Sequence, residues 1–251
     1  MVLLDEVVTY LNRELKTASI PDYPGAMNGL QLANSGQIGR IVAAVDASLA
    51  VIKAAAEGGP GLLIVHHGMF WQGVQPFTGP LYLKLKIAMD AGLAIYSSHL
   101  PLDVHPQLGN NILLARAIGL QDCEPFLDHK GLLVGLRGSW CGRRNALAKT
   151  LETVLGGPVH LCPGGSEILS TVGLITGGAG SEVAKVAAEG VDTFITGEGP
   201  HWSYPLAEEL GLNLFYGGHY ATETFGVKAI SAAAASQFML SWQFSDHPTG
   251  L

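Results

Sequence analysis

Between residues 41 and 216 the chain repeatedly follows a short, β-branched apolar run with a stretch of helical period. That alternation restricts it to an α/β fold of βαβ units around mostly parallel or mixed sheets flanked by helices. The strand-like runs are IVAAV at 41–45, LLIV at 62–65, LAIYS at 93–97, VGLRG from Val134, TVGLIT around Val172, TFIT around Phe194 and NLFY around Leu214. Leu4, Val7, Val8, Leu11 and Leu15 recur at helical spacing and open the chain with an amphipathic helix. Further helices are expected up to Glu57 after a cap at Asp46 or Ser48, from Pro80 onward, and over 145–155, 181–189, 203–210 and 221–235. The weakest join is 121–130, where Asp122, Glu124, Pro125 and Asp128 cluster, and a domain boundary is expected there.

Composition excludes several classes. Hydrophobic residues make up 48% of the 251 positions and charged ones only 14%, which supports a sizeable core rather than disordered tails. A net charge of −7 repels phosphate backbones, so extended nucleic acid is disfavoured as a partner. The three cysteines, Cys123, Cys141 and Cys162, form no C-x-x-C pair, which argues against a disulfide framework or structural zinc and for a reducing, cytoplasmic setting. The opening MVLLDEVVTYLNRELK carries acids within a helical period and does not read as a signal peptide, and no apolar run reaches the roughly 20 residues of a membrane span.

The chemistry lies just beyond the strand ends. Val65 leads into His66-His67-Gly68, Ser97 into Ser98-His99-Leu100-Pro101-Leu102-Asp103, and Tyr216 into Gly217-Gly218-His219, with Glu223 four residues further on. Ligands of open α/β sheets collect beyond the carboxyl ends of strands, so a metal site is expected there. Imidazole and carboxylate are the ligand types of first-row metals. His219 and Glu223, four apart at a helix start, can share one face. His99 and Asp103 have the same spacing, but Pro101 suggests a loop. Adjacent His66 and His67 in an extended strand point to opposite sides, which favours two ions over one. Two-metal sites hold their ions about 3.5–4 Å apart, often bridged by carboxylate.

The motifs N-G-L-Q at 28–31, A-V-D-A-S at 44–48, V-H-H-G-M-F-W at 65–71, S-H-L-P-L-D at 98–103, T-G-E at 196–198 and G-H-Y-A-T-E at 218–223 occur in that order. Together they resemble the GTP cyclohydrolase I type 2 homologue family, the Nif-three-like dinuclear-metal proteins. The resemblance implies two related α/β domains, the first completed by the C-terminal segment: residues 1–125 plus 212–251 as the metal-binding domain, and 126–211 as the second. It implies two divalent ions per subunit, held by His66, His67, Asp103, His219 and Glu223, with His99 as a supporting residue or proton carrier. It also implies a homo-hexamer built as a trimer of dimers. The metal could be zinc, iron, manganese, cobalt or nickel.

Glu198 and His201, around the T-G-E stretch, are candidates for general acid or base work beside His99. The glycine-rich segment 176–181 lacks the lysine of a phosphate-binding loop and reads better as a tight turn capped by Ser181. Phe70, Trp71 and Phe77 follow the histidine pair and can stack on a base or pack an interface. The function expected from all this is metal-dependent hydrolysis of a small nucleotide. The alternatives are a non-catalytic metal-binding scaffold, or a phosphodiesterase or nuclease acting on short fragments.

Overall fold

A computed structural model of the chain describes residues 1–73 and 75–251. It is a mixed α/β structure with two compact units, one comprising Met1–His105 with Gly226–His247, the other Pro106–Phe225 with Pro248–Leu251. Among the described residues no helix is long and apolar enough to cross a membrane.

The first unit is organised by a five-stranded sheet in the order Ser241–Phe244, Arg40–Asp46, Gly61–His67, Leu93–Ser97, Gly29–Leu32. The first four strands run parallel and the last is antiparallel. Ile41 to Val45, Leu62 to Val65 and Leu93 to Tyr96 are all buried, as befits central strands covered on both faces. The helix Leu49–Ala56 starts at Ser48, whose side chain accepts a hydrogen bond from the Val51 N–H at 3.2 Å. Asp46 is not a cap. It ends its strand in register with His67.

The second unit has a six-stranded sheet in the order Gln121–His129, Leu132–Arg143, Ile168–Leu174, Thr193–Thr196, Asn213–Tyr216, His160–Pro163. Its strands Ile168–Leu174, Thr193–Thr196 and Asn213–Tyr216 are parallel, and Phe194 and Phe215 are fully buried on them. The stretch expected to be a join, 121–130, is largely the edge strand Gln121–His129 of this sheet, and the chain passes from one unit to the other at His105–Pro106. An edge strand tolerates the proline and the charges that made the segment read as a linker.

Two other local expectations are corrected. Pro101 does not make a loop: Leu100–Asp103 is a short helix with the proline in its first turn, where a missing N–H costs nothing. Ser181 does not cap a helix, because Gly180–Glu182 forms a 3-10 turn and the α-helix begins at Val183.

Candidate metal centre

In the first unit, parallel pairing sets the ends of three strands level: Asp46 stands opposite His67, and Val65 opposite Ser97. Strand alternation would send His66 and His67 apart, yet their rings lie 4.7 Å apart, and His99 lies 5.0 Å from His66 and 5.7 Å from His67. Each of these three residues offers a ligand atom within 4.8 Å of the others. Asp103 joins them, its Oδ2 being 3.5 Å from His66 Nε2. His66 is fully buried and Asp103 nearly so.

What aims these rings is visible atom by atom. His66 Nδ1 donates to the Ser98 carbonyl at 2.9 Å, and because a carbonyl only accepts, a neutral His66 presents Nε2 as its lone-pair nitrogen. His67 Nδ1 is held by Asp46 Oδ1 at 2.9 Å, and His99 Nδ1 by Asp22 Oδ1 at 2.9 Å. Asp22 is fixed in turn by the Asn28 side chain at 2.8 Å and the N–H groups of Tyr23 and Leu100 at 2.7 and 2.9 Å. Asn28 Oδ1 also accepts from the His99 N–H at 2.7 Å. Gln31 accepts from the Met69 N–H at 2.8 Å and so braces the turn after the histidine pair. Thus the N-G-L-Q stretch positions the histidine loops. Asp22 and Asp46 were not recognised as positioning groups from the sequence; Asp46 read there as a helix cap, and Asp22 lies in a proline-bearing loop with no chemical pattern around it.

In the second unit, His219 and Glu223 meet as their spacing suggested, with Nε2 and Oε2 3.2 Å apart, although a short helix His219–Thr222 ends between them. His219 Nδ1 pairs with Glu198 Oε1 at 2.9 Å, so Glu198 orients this imidazole. Burial disfavours a charged His219, but the hydrogen bonds and charges of Glu223 and Glu198 outweigh it and push its pKa up to about 9. His201 is placed elsewhere in the unit, in a cavity lined by His160, Gly199, Pro200, Tyr204 and Tyr216.

Three loops are stitched together behind His219. The Gly177 carbonyl accepts from Gly197 N–H, Glu198 N–H and the Thr196 hydroxyl at 2.8, 3.0 and 3.0 Å. Thr222 Oγ1 accepts from the Gly177 N–H at 3.0 Å and sits 3.0 Å from the Gly218 carbonyl. The glycine of T-G-E has no space for a side chain: a Cβ on Gly197 would lie 2.6 Å from the Gly177 oxygen and 2.7 Å from His219 Cα. Gly197→Ala is therefore expected to cost about 1–3 kcal/mol in urea unfolding, since backbone must shift. An unchanged midpoint would contradict that close approach.

The sequence profile of the Duf34/NIF3 (NGG1p interacting factor 3) family matches residues 2–249. The chain is 40% identical over 250 residues to a protein of Deinococcus radiodurans named GTP cyclohydrolase 1 type 2 homolog, covering 98% of this chain and 94% of that one. A protein of the same name from Halobacterium salinarum is 39% identical over 254 residues, covering 99% of each. The crystal structure of TTHA1606 from Thermus thermophilus superposes over 100% of both chains with a TM-score of 0.91 at 37% identity.

Proposed function

Because the chain belongs to the Duf34/NIF3 family, and because its strand-end histidines are aimed as metal ligands are, we propose that it is a dinuclear metal-dependent hydrolase of small nucleotides. The proposed ligands are His66, His67, Asp103, His219 and Glu223. The observation that carries this reading is the treatment of Nδ1. On His66, His67 and His219 alike it is engaged by a carbonyl or carboxylate at 2.9 Å, which reserves Nε2 for a cation. Metal-bound histidines almost always have such a partner, and it raises their basicity.

The donor set fits divalent ions: neutral imidazoles with carboxylates bring enough negative charge without saturating two coordination spheres. Bound cations of this kind polarise an electrophile and acidify water. The protein's own part is to hold its ligands rigidly and to move protons. His99 is suited to proton transfer, because Asp22 steadies its Nδ1 while the ring stands beside His66 and His67. Glu198 orients His219.

The test is elemental analysis of purified protein, followed by nucleotide hydrolysis assays with the identified metal removed and restored. About two ions per chain are expected, with turnover that disappears on chelation and returns with metal. A protein that retains no transition metal after reconstitution overturns the reading.

A further inference from the structure

The cavity that contains His201 uses none of the proposed metal ligands. Its volume is about 370 Å³, within the range of small-molecule sites. It lies where the parallel strands Thr193–Thr196 and Asn213–Tyr216 end, the position at which open α/β sheets take ligands. Its walls are rings. Tyr216 ends its strand in antiparallel register with His160, and the two rings are nearly parallel, at 12° with centroids 6.3 Å apart. Tyr204 inclines at 43° to His160, with centroids 5.6 Å apart.

The arrangement is fixed in advance. The Tyr216 hydroxyl is hydrogen-bonded to Ser203 Oγ, which itself donates to the Pro200 carbonyl. Gly199 is required beside it, because a Cβ there would fall 2.8 Å from the Tyr216 hydroxyl and 2.7 Å from Gly180 Cα. No lysine, arginine or carboxylate is among the described residues that line it. The walls therefore suit a flat, uncharged ring rather than a phosphate.

We infer that this cavity is a second ligand site, which binds a planar heteroaromatic ring such as a nucleobase by stacking against His160, Tyr204 and Tyr216. Faces of this kind accept any base, because every base has a π-face. The imidazole nitrogens of His201 add hydrogen bonds at the ring edge. The site stands independently of the metal reading, since no metal ligand lines it.

Calorimetric titration of the whole 251-residue chain, stripped of metal, with adenosine, guanosine monophosphate and, as a ring-free control, ribose 5-phosphate tests it. Both ring compounds are expected to bind, with ribose 5-phosphate at least about tenfold weaker. His160→Ala should weaken ring binding about tenfold, whereas His160→Phe, which preserves the flat wall, should retain it. Circular dichroism confirms that each variant folds. Absence of ring binding, equal binding of ribose 5-phosphate, or ring binding indifferent to His160→Ala overturns the inference. Every outcome is read on protein without metal, so a failure here is separate from a failure of metal loading.

Discussion

His219→Ala is expected to purify with at least one of the two proposed ions missing and to bind added metal roughly a hundredfold more weakly or worse. The variant removes a donor that is already aimed: Glu198 holds Nδ1 at 2.9 Å, and Nε2 lies 3.2 Å from Glu223 Oε2. Altering an orienting partner alone typically costs about 10–100-fold in metal affinity, and loss of the ligand itself should cost more. Acidity supplies a second readout. With its pKa pushed up to about 9, His219 carries a proton in metal-free protein at neutral pH, where it balances the two carboxylates. An incoming cation must displace that proton, so apparent affinity should fall about tenfold for each pH unit below 9. Stability of the metal-free protein runs the opposite way. The pKa is higher in the folded state than the ordinary 6.5, so this contribution is complete below about 6.5 and is lost as pH rises through about 9. Thermal melts of stripped protein should fall across that window, and His219→Ala should not show the decline. Full metal content in the variant would remove His219 from the ligand set.

The sequence made the donors legible but not their supports. Histidines and carboxylates after apolar runs stand out because a strand's end is readable from periodicity, and strand ends are where such sheets bind. His66, His67, His99 and Asp103 gather as that logic requires. Asp46 was visible, yet its role was not: only the parallel register, which sets it opposite His67, turns a plausible helix cap into an orienting carboxylate. Register is a tertiary property, fixed by how whole strands pair. Thr222 and Gly197 were hidden for the same reason, because their importance lies in contacts with Gly177, 45 and 20 residues away in the chain. The edge strand Gln121–His129 was misread as a join because a strand that pairs on one side tolerates proline and charge.

Asp22→Ala is expected to destabilise the first unit by about 3–5 kcal/mol in urea unfolding at pH 7. The Asp22 side chain is only 6% exposed and joins four groups: His99 Nδ1, the Asn28 amide and the N–H groups of Tyr23 and Leu100. Removing it strands several donors at once, each costing roughly 1–3 kcal/mol when buried. It also frees the helix start at Leu100 and the His99 ring that faces His66 and His67. Asp22→Asn sets its amide hydrogens against donors but keeps the shape and one accepting oxygen, so a smaller loss than in Asp22→Ala is expected. The carboxylate itself makes the effect pH-dependent. Burial raises its pKa, but the hydrogen bonds and charge of His99, with Asn28 and the Tyr23 N–H, more than offset this and hold it below the ordinary 3.8. A depressed folded value means that the stabilisation is present above about 3.8 and disappears as pH falls through the lower, folded-state value. Acid unfolding of the wild type should therefore carry a proton uptake that Asp22→Ala lacks, while at pH 7 the two differ by the full amount. A loss below about 1 kcal/mol at neutral pH would mean that the carboxylate is not what anchors the His99 loop, and that this ring takes its position from packing against Trp71, 4.7 Å away.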